Sequence, residues 1–149
     1  MDPDDEHSIL CLEERSANAT DTNYVSRIDV RTGASTAVGS FPSNLIVGMN
    51  DATFDAAARV FYALLAPPPP THAGPVRPMH LCGLDVRTGA VVSDVKLPAG
   101  FIIDNMDWDS GTGRINAIVR NISWGGGGGT EAVSETEQYG ALNAAGGTF

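Results

Sequence analysis

Asp29-Val30-Arg31-Thr32-Gly33-Ala34 returns letter for letter as Asp85-Val86-Arg87-Thr88-Gly89-Ala90, and these two stretches decide the fold. Each is a hairpin signal. An apolar run ends at the aspartate, Thr-Gly supplies the residue that tolerates φ > 0, and a second β-prone run follows, which is how a tight antiparallel turn is written. The repeat speaks to architecture and names no chemistry.

The similarity around the two copies, which begin 56 residues apart, extends well past the hairpin. After each Ala comes a short strand (Ser35 to Ser40; Val91 to Lys96), then an apolar residue and a proline (Phe41-Pro42; Leu97-Pro98). An apolar triplet follows (Leu45 to Val47; Phe101 to Ile103), then an aromatic-Asp pair (Phe54-Asp55; Trp108-Asp109). Each pair leads through a turn to an arginine, Arg59 or Arg114, and another strand. Weaker copies of parts of the unit stand at both ends: Ser8 to Glu13 reads as the strand formed later by Val60 to Leu65, and Asn143 stands where Asp85 does. Helices have almost no support, because the alanine cluster Ala56 to Ala58 is three residues between two strand signals.

The unit therefore has four strands: A, ending in aromatic-Asp; B, after the arginine; C, entering the hairpin; and D, leaving it. Four short antiparallel strands in about 40 to 60 residues is the pattern of a β-propeller blade. "Apolar-x-apolar-Asp-x-x-Thr-Gly" and "aromatic-Asp-x(3 or 4)-Arg-apolar-x-Ala" resemble propeller repeats of the broad quinoprotein-like and YVTN type. The resemblance implies an all-β fold of four-stranded antiparallel blade repeats forming an open arc or partial β-propeller. Residues 1–149 read as one β-repeat segment, with blade 1 partial over 8–40, blade 2 over 45–97 and blade 3 partial over 101–149. The tryptophan that follows the Thr-Gly hairpin in quinoprotein dehydrogenases is missing from both copies, and Trp108-Asp109 lacks the Gly-His partner of a WD40 blade.

Closed propellers have about four to eight blades, so about two and a half cannot close. Three arrangements meet that count: the chain is a fragment of a longer protein, its arc is completed by other chains, or the strands form a sandwich instead. Open edges invite pairing, so an oligomer or additional blades are the expected partners.

Composition narrows the function classes. Nine basic against eighteen acidic residues give a net charge of −9, which argues against a nucleic-acid backbone or an anionic membrane surface as partner. No apolar run approaches the roughly 20 residues of a membrane span, and no signal-peptide pattern precedes the first strand, so the default compartment is the cytoplasm if Met1 is the native start. Two cysteines, Cys11 and Cys82, cannot make a disulfide framework and read as strand residues.

Candidate sites follow from placement. The B-to-C loops, Glu14 to Asn23, Ala66 to Pro78 and Asn121 to Glu137, vary most and share one face of the expected array, where binding residues concentrate. Pro67, Pro68, Pro69 and Pro70, with His72 behind them, form a preorganised polyproline stretch; Trp124 borders the flexible run Gly125 to Gly129. As a plain stiff loop and a plain flexible insert, the same residues need no ligand. The innermost strand of a blade lines a channel, which makes Asn50, Asp51, Asp104, Asn105 and Asp107 the metal candidates. Their oxygens suit Ca²⁺, which takes about six to eight such ligands, and the resemblance permits a lactonase-like use of it. Asp55 and Asp109 are turn formers. His7, His72 and His80 are scattered, and no nucleophile elbow or zinc helix occurs. The expected function is a binding or scaffolding module without cofactor; a Ca²⁺-assisted hydrolase is the alternative.

Overall fold

The structure, a computed structural model, describes residues 6–15, 22–67, 78–124 and 132–142, with backbone only for 14, 15, 22, 46–51, 121–124 and 132–136. The chain is all-β. Among the described residues ten strands form three antiparallel sheets, and none is helical.

The first sheet holds β1 (Ser8–Arg15), β2 (Thr22–Asp29) and β3 (Ser35–Ser40) in chain order. The middle sheet holds β4 (Ile46–Asp55), β5 (Val60–Ala66), β6 (His80–Asp85) and β7 (Val91–Lys96). In the third, β8 (Phe101–Asp109) pairs with β9 (Arg114–Trp124) and β9 with β10 (Ala132–Leu142). Every pairing joins strands adjacent in sequence, so each sheet is a meander built from hairpins.

Identical sequence gives identical turns. Asp29 Oδ1 accepts the backbone N–H of Arg31 (2.8 Å) and Thr32 (3.1 Å), while Asp85 Oδ1 accepts those of Arg87 (2.8 Å) and Thr88 (3.3 Å). Gly33 and Gly89 take φ of 72° and 73° and donate to the Asp29 and Asp85 carbonyls, 2.8 Å each. The A-to-B turns use the same device: Asp109 Oδ1 accepts from Gly111 and Thr112, and Gly113 adopts φ 67°. In the equivalent turn after Asp55, the left-handed place falls to Arg59, at φ 63°. Because Val60 pairs with Asp55 as Arg114 pairs with Asp109, Arg59 is the counterpart of Gly113 and not of Arg114.

The same register runs through all three sheets. Cys11 pairs with Ser26 as Ala63 pairs with Cys82 and Ala117 with Gly140; Leu142 pairs with Ile115 as Leu84 pairs with Phe61. The middle sheet is covered on both faces, which is why β5 reads as a near-continuous apolar run. One core joins Val25, Phe41 and Leu45 to Phe61, Ala63, Leu65, Cys82 and Leu84. The other joins Leu64, Leu81 and Leu97 to Ile103, Ile115 and Val119. Odd and even residues of β5 thus serve opposite seams, the two-residue period of a strand used on both sides.

Backbone approach fixes the first seam. A Cβ on Gly39 of β3 would lie 2.4 Å from the Gly89 carbonyl oxygen, and one on Gly89 would lie 2.3 Å from that of Val38. At the second seam the backbone N–H of Trp108 donates to Thr53 Oγ1 (2.8 Å), and the rings of Tyr62 and Trp108 stack 5.8 Å apart.

Candidate functional site

Two regions carry the residues singled out in the sequence. At the hairpin end between strands B and C, Pro67 is half-buried at the close of β5, and Pro68, Pro69, Pro70 and His72 lie outside the described residues. The expected loop from Asn121 to Glu137 is shorter than the sequence implies. β9 continues through Trp124 and β10 begins at Ala132, its cross-strand partner, while Gly125 to Gly129 lie outside the described residues. Alternation continues through Ile122 and Val133, which lets the ladder extend where glycine marked a loop. Trp124 therefore stands at the end of a strand, and its side chain lies outside the described set.

The second region is the start of each A strand. Both β4 and β8 slip register there, between Val47 and Ala52 and between Ile103 and Asn105. Asp51 lies in the first irregular stretch with only its backbone described; Asp104 is the extra residue of the second, a β-bulge that re-aims its side chain. Asp104 is held by Arg120 through a two-pronged ion pair, Nη2 to Oδ1 at 2.7 Å and Nε to Oδ2. Its oxygens are already engaged by a fixed cation. Asn105 and Asp107 are exposed and alternate with buried Ile103 and Met106. Among the described residues, no three His, Cys, Asp or Glu side chains converge on a point suited to a metal.

Strand register also creates a cluster that chain order hides. His80 and Cys82 lie two apart on one face of β6, and Asp94 of β7 reaches both: Oδ1 is 2.6 Å from His80 Nδ1 and 3.7 Å from Cys82 Sγ. The three residue types are those of a thiol nucleophile with its base and orienter, yet the order is wrong. The carboxylate sits between thiol and imidazole, so the thiol meets Asp94 and not the His80 ring that would have to act as its base. Burial, with the Asp94 charge and hydrogen bond adding, pushes the Cys82 thiol up to about 12, which keeps it protonated and inert. Only cross-strand pairing could have revealed the cluster, since Cys82 faces Asp94 across twelve residues of sequence.

The chain matches no family model, and no curated protein is detectably similar to it. Among the described residues no helix is long and apolar enough to cross a membrane.

Proposed function

We propose that the chain is a binding or scaffolding module, a partial β-propeller of blade-type sheets that works within a larger assembly and presents its B-to-C hairpins on one face. The observation that carries this reading is the repetition of register: three consecutive sheets meet in chain order, with the two A strands described, β4 and β8, bonded through Thr53 and Trp108. Sheets that stack in series through repeated seams form a scaffold, and connections of unequal length at one end are where such scaffolds carry recognition.

Partners are proteins or additional blades. A net charge of −9 disfavours nucleic acid on electrostatic grounds. The Ca²⁺-assisted hydrolase remains the second use of the same A strands, and the engagement of Asp104 by Arg120 weighs against it.

Replacing residues 67–78 by a two-residue turn tests the first reading: the melting temperature holds while binding to a partner is lost. Retained binding transfers recognition away from that hairpin. Calcium titration of thermal stability tests the second, with Asp51→Ala and Asn105→Ala as controls; a melting temperature insensitive to calcium in all three proteins removes the hydrolase.

A further inference from the structure

Consecutive sheets meet through the same positions. Toward the third sheet the middle one presents Tyr62, Leu64, Met79 and Leu81, with Thr53 at the inner strand. One sheet later these positions are held by Asn116, Ile118, Glu137, Tyr139 and Asp107: Asp107 pairs with Asn116 as Thr53 pairs with Tyr62, and Ile118 pairs with Tyr139 as Leu64 pairs with Leu81. The middle set is covered; in the third, Asp107, Glu137 and Tyr139 are exposed and Asn116 and Ile118 partly so. Tyr139 is 75% exposed, although its counterpart Leu81 is fully buried.

Asp107 is the telling position. Thr53 stands two residues before the turn aspartate Asp55 and accepts the Trp108 N–H across the seam at 2.8 Å. Asp107, two residues before Asp109, offers an acceptor in the same place, is exposed, and has no hydrogen-bond partner among the described residues. The opposite end of the stack differs. There Glu13 occupies the place of Leu65 and Val119 and accepts from Ser35 Oγ at 2.9 Å, while Ser26 occupies that of Cys82.

Resting on the blade reading above, we infer that the open face of β8, β9 and β10 is the docking surface for a further antiparallel sheet of the same build. That sheet sits as the third sheet sits on the middle one, its innermost strand donating a backbone N–H to Asp107. A carboxylate in that place makes a charge-assisted bond, and its burial without a donor is costly, so the surface selects a strand and rejects a merely apolar partner. Among the described residues no strand flanks β1 on its outer side, so the described part of a second copy's first sheet holds no inner strand to supply that donor.

The test extends the full chain at its C-terminus with a second copy of residues 41–97, a complete four-stranded sheet with its leading connector. In an Ile118→Cys background, the introduced thiol labels freely in the 149-residue chain and at least tenfold more slowly in the extended one. Asp107→Ala lowers the melting temperature of the extended chain alone, and Asp107→Asn, which keeps an acceptor oxygen, restores it. Equal labelling of the introduced thiol in both chains, an equal Asp107→Ala shift in both, or an appended unit that stays unfolded overturns the inference. So does a bismaleimide cross-link between Cys11 of one unextended Ile118→Cys chain and the introduced thiol of another, which assigns the face to a second copy. The blade reading fails separately, if Cys82 of the unmodified chain labels as fast as Cys11.

Discussion

Gly39 and Gly89 press backbone against backbone where the first sheet meets the middle one, leaving no room for a single methyl on either: a Cβ on Gly39 would stand 2.4 Å from the Gly89 carbonyl oxygen. Gly89 has a twin without that neighbour. Gly33 holds the same φ in the same turn, and nothing lies within 4 Å of a Cβ built on it. Gly33→Ala therefore isolates the conformational cost of a left-handed residue, about 1 to 2 kcal/mol. Gly89→Ala adds the collision with Val38 and costs more. Urea unfolding of the two variants measures the difference; equal losses would show that the seam yields freely at this point.

The second seam rests on a ring pair. Trp108 is half-buried against Tyr62, and Trp108→Ala removes both the stacking and the apolar contact with the second core, a loss of about 2 to 4 kcal/mol. Tyr62→Phe keeps the ring and is close to neutral. Chemical denaturation followed by far-ultraviolet circular dichroism reads both.

Three turn aspartates set the acid limit. Asp29 is lowered from its ordinary value chiefly by the Arg31 backbone N–H, Asp85 by the Arg87 side chain, and Asp109 by the Thr112 hydroxyl. A carboxylate lowered in the folded state binds its proton more readily when unfolded, so its contribution is complete above the unfolded value and fades as pH falls through the folded one. Melting temperature therefore declines below about pH 4. Asp85→Asn and Asp109→Asn each flatten that decline; an unchanged acid limb in the double variant would remove these turns as its cause.

The two thiols separate in reactivity and in pH. Cys11 is half-exposed on β1 and Cys82 fully buried on β6, so a disulfide reagent labels one thiol quickly and the second only on unfolding. Raised in the folded state, the Cys82 thiol keeps its proton when the unfolded chain has lost it, so stability falls as pH rises above about 9. Cys82→Ala removes the part of the fall that begins near pH 9 and leaves the part owed to Tyr62, whose hydroxyl burial also raises, at the expense of a small cavity, about 1 kcal/mol.

What the sequence discloses here is whatever depends on neighbours along the chain. Asp-x-x-Thr-Gly writes its own turn within five residues, and the spacing of two such turns orders the strands of the middle sheet correctly. Pairings across strands are harder to see. The bulge at Asp104 turns that carboxylate toward Arg120, and the ladder between β6 and β7 assembles His80, Cys82 and Asp94; neither follows from spacing. Arg59 misleads for a related reason, since an arginine in a left-handed turn looks like the first residue of the strand behind it. The glycine run after Trp124 reads as a loop in the sequence and conceals that the ladder reaches Trp124 and Ala132.

The meander order of the strands has a consequence for how the molecule assembles in time. Because every strand pairs with its neighbour in sequence, loop-closure entropy is small at each step, and a sheet can form before the next has emerged. The two-faced middle sheet gains its cover only when both neighbours are in place, so coupling runs outward from β4–β7 as in a one-dimensional lattice with nearest-neighbour terms. In such a lattice the terminal sheets fray first, and each sheet added to the stack shifts where the fraying occurs.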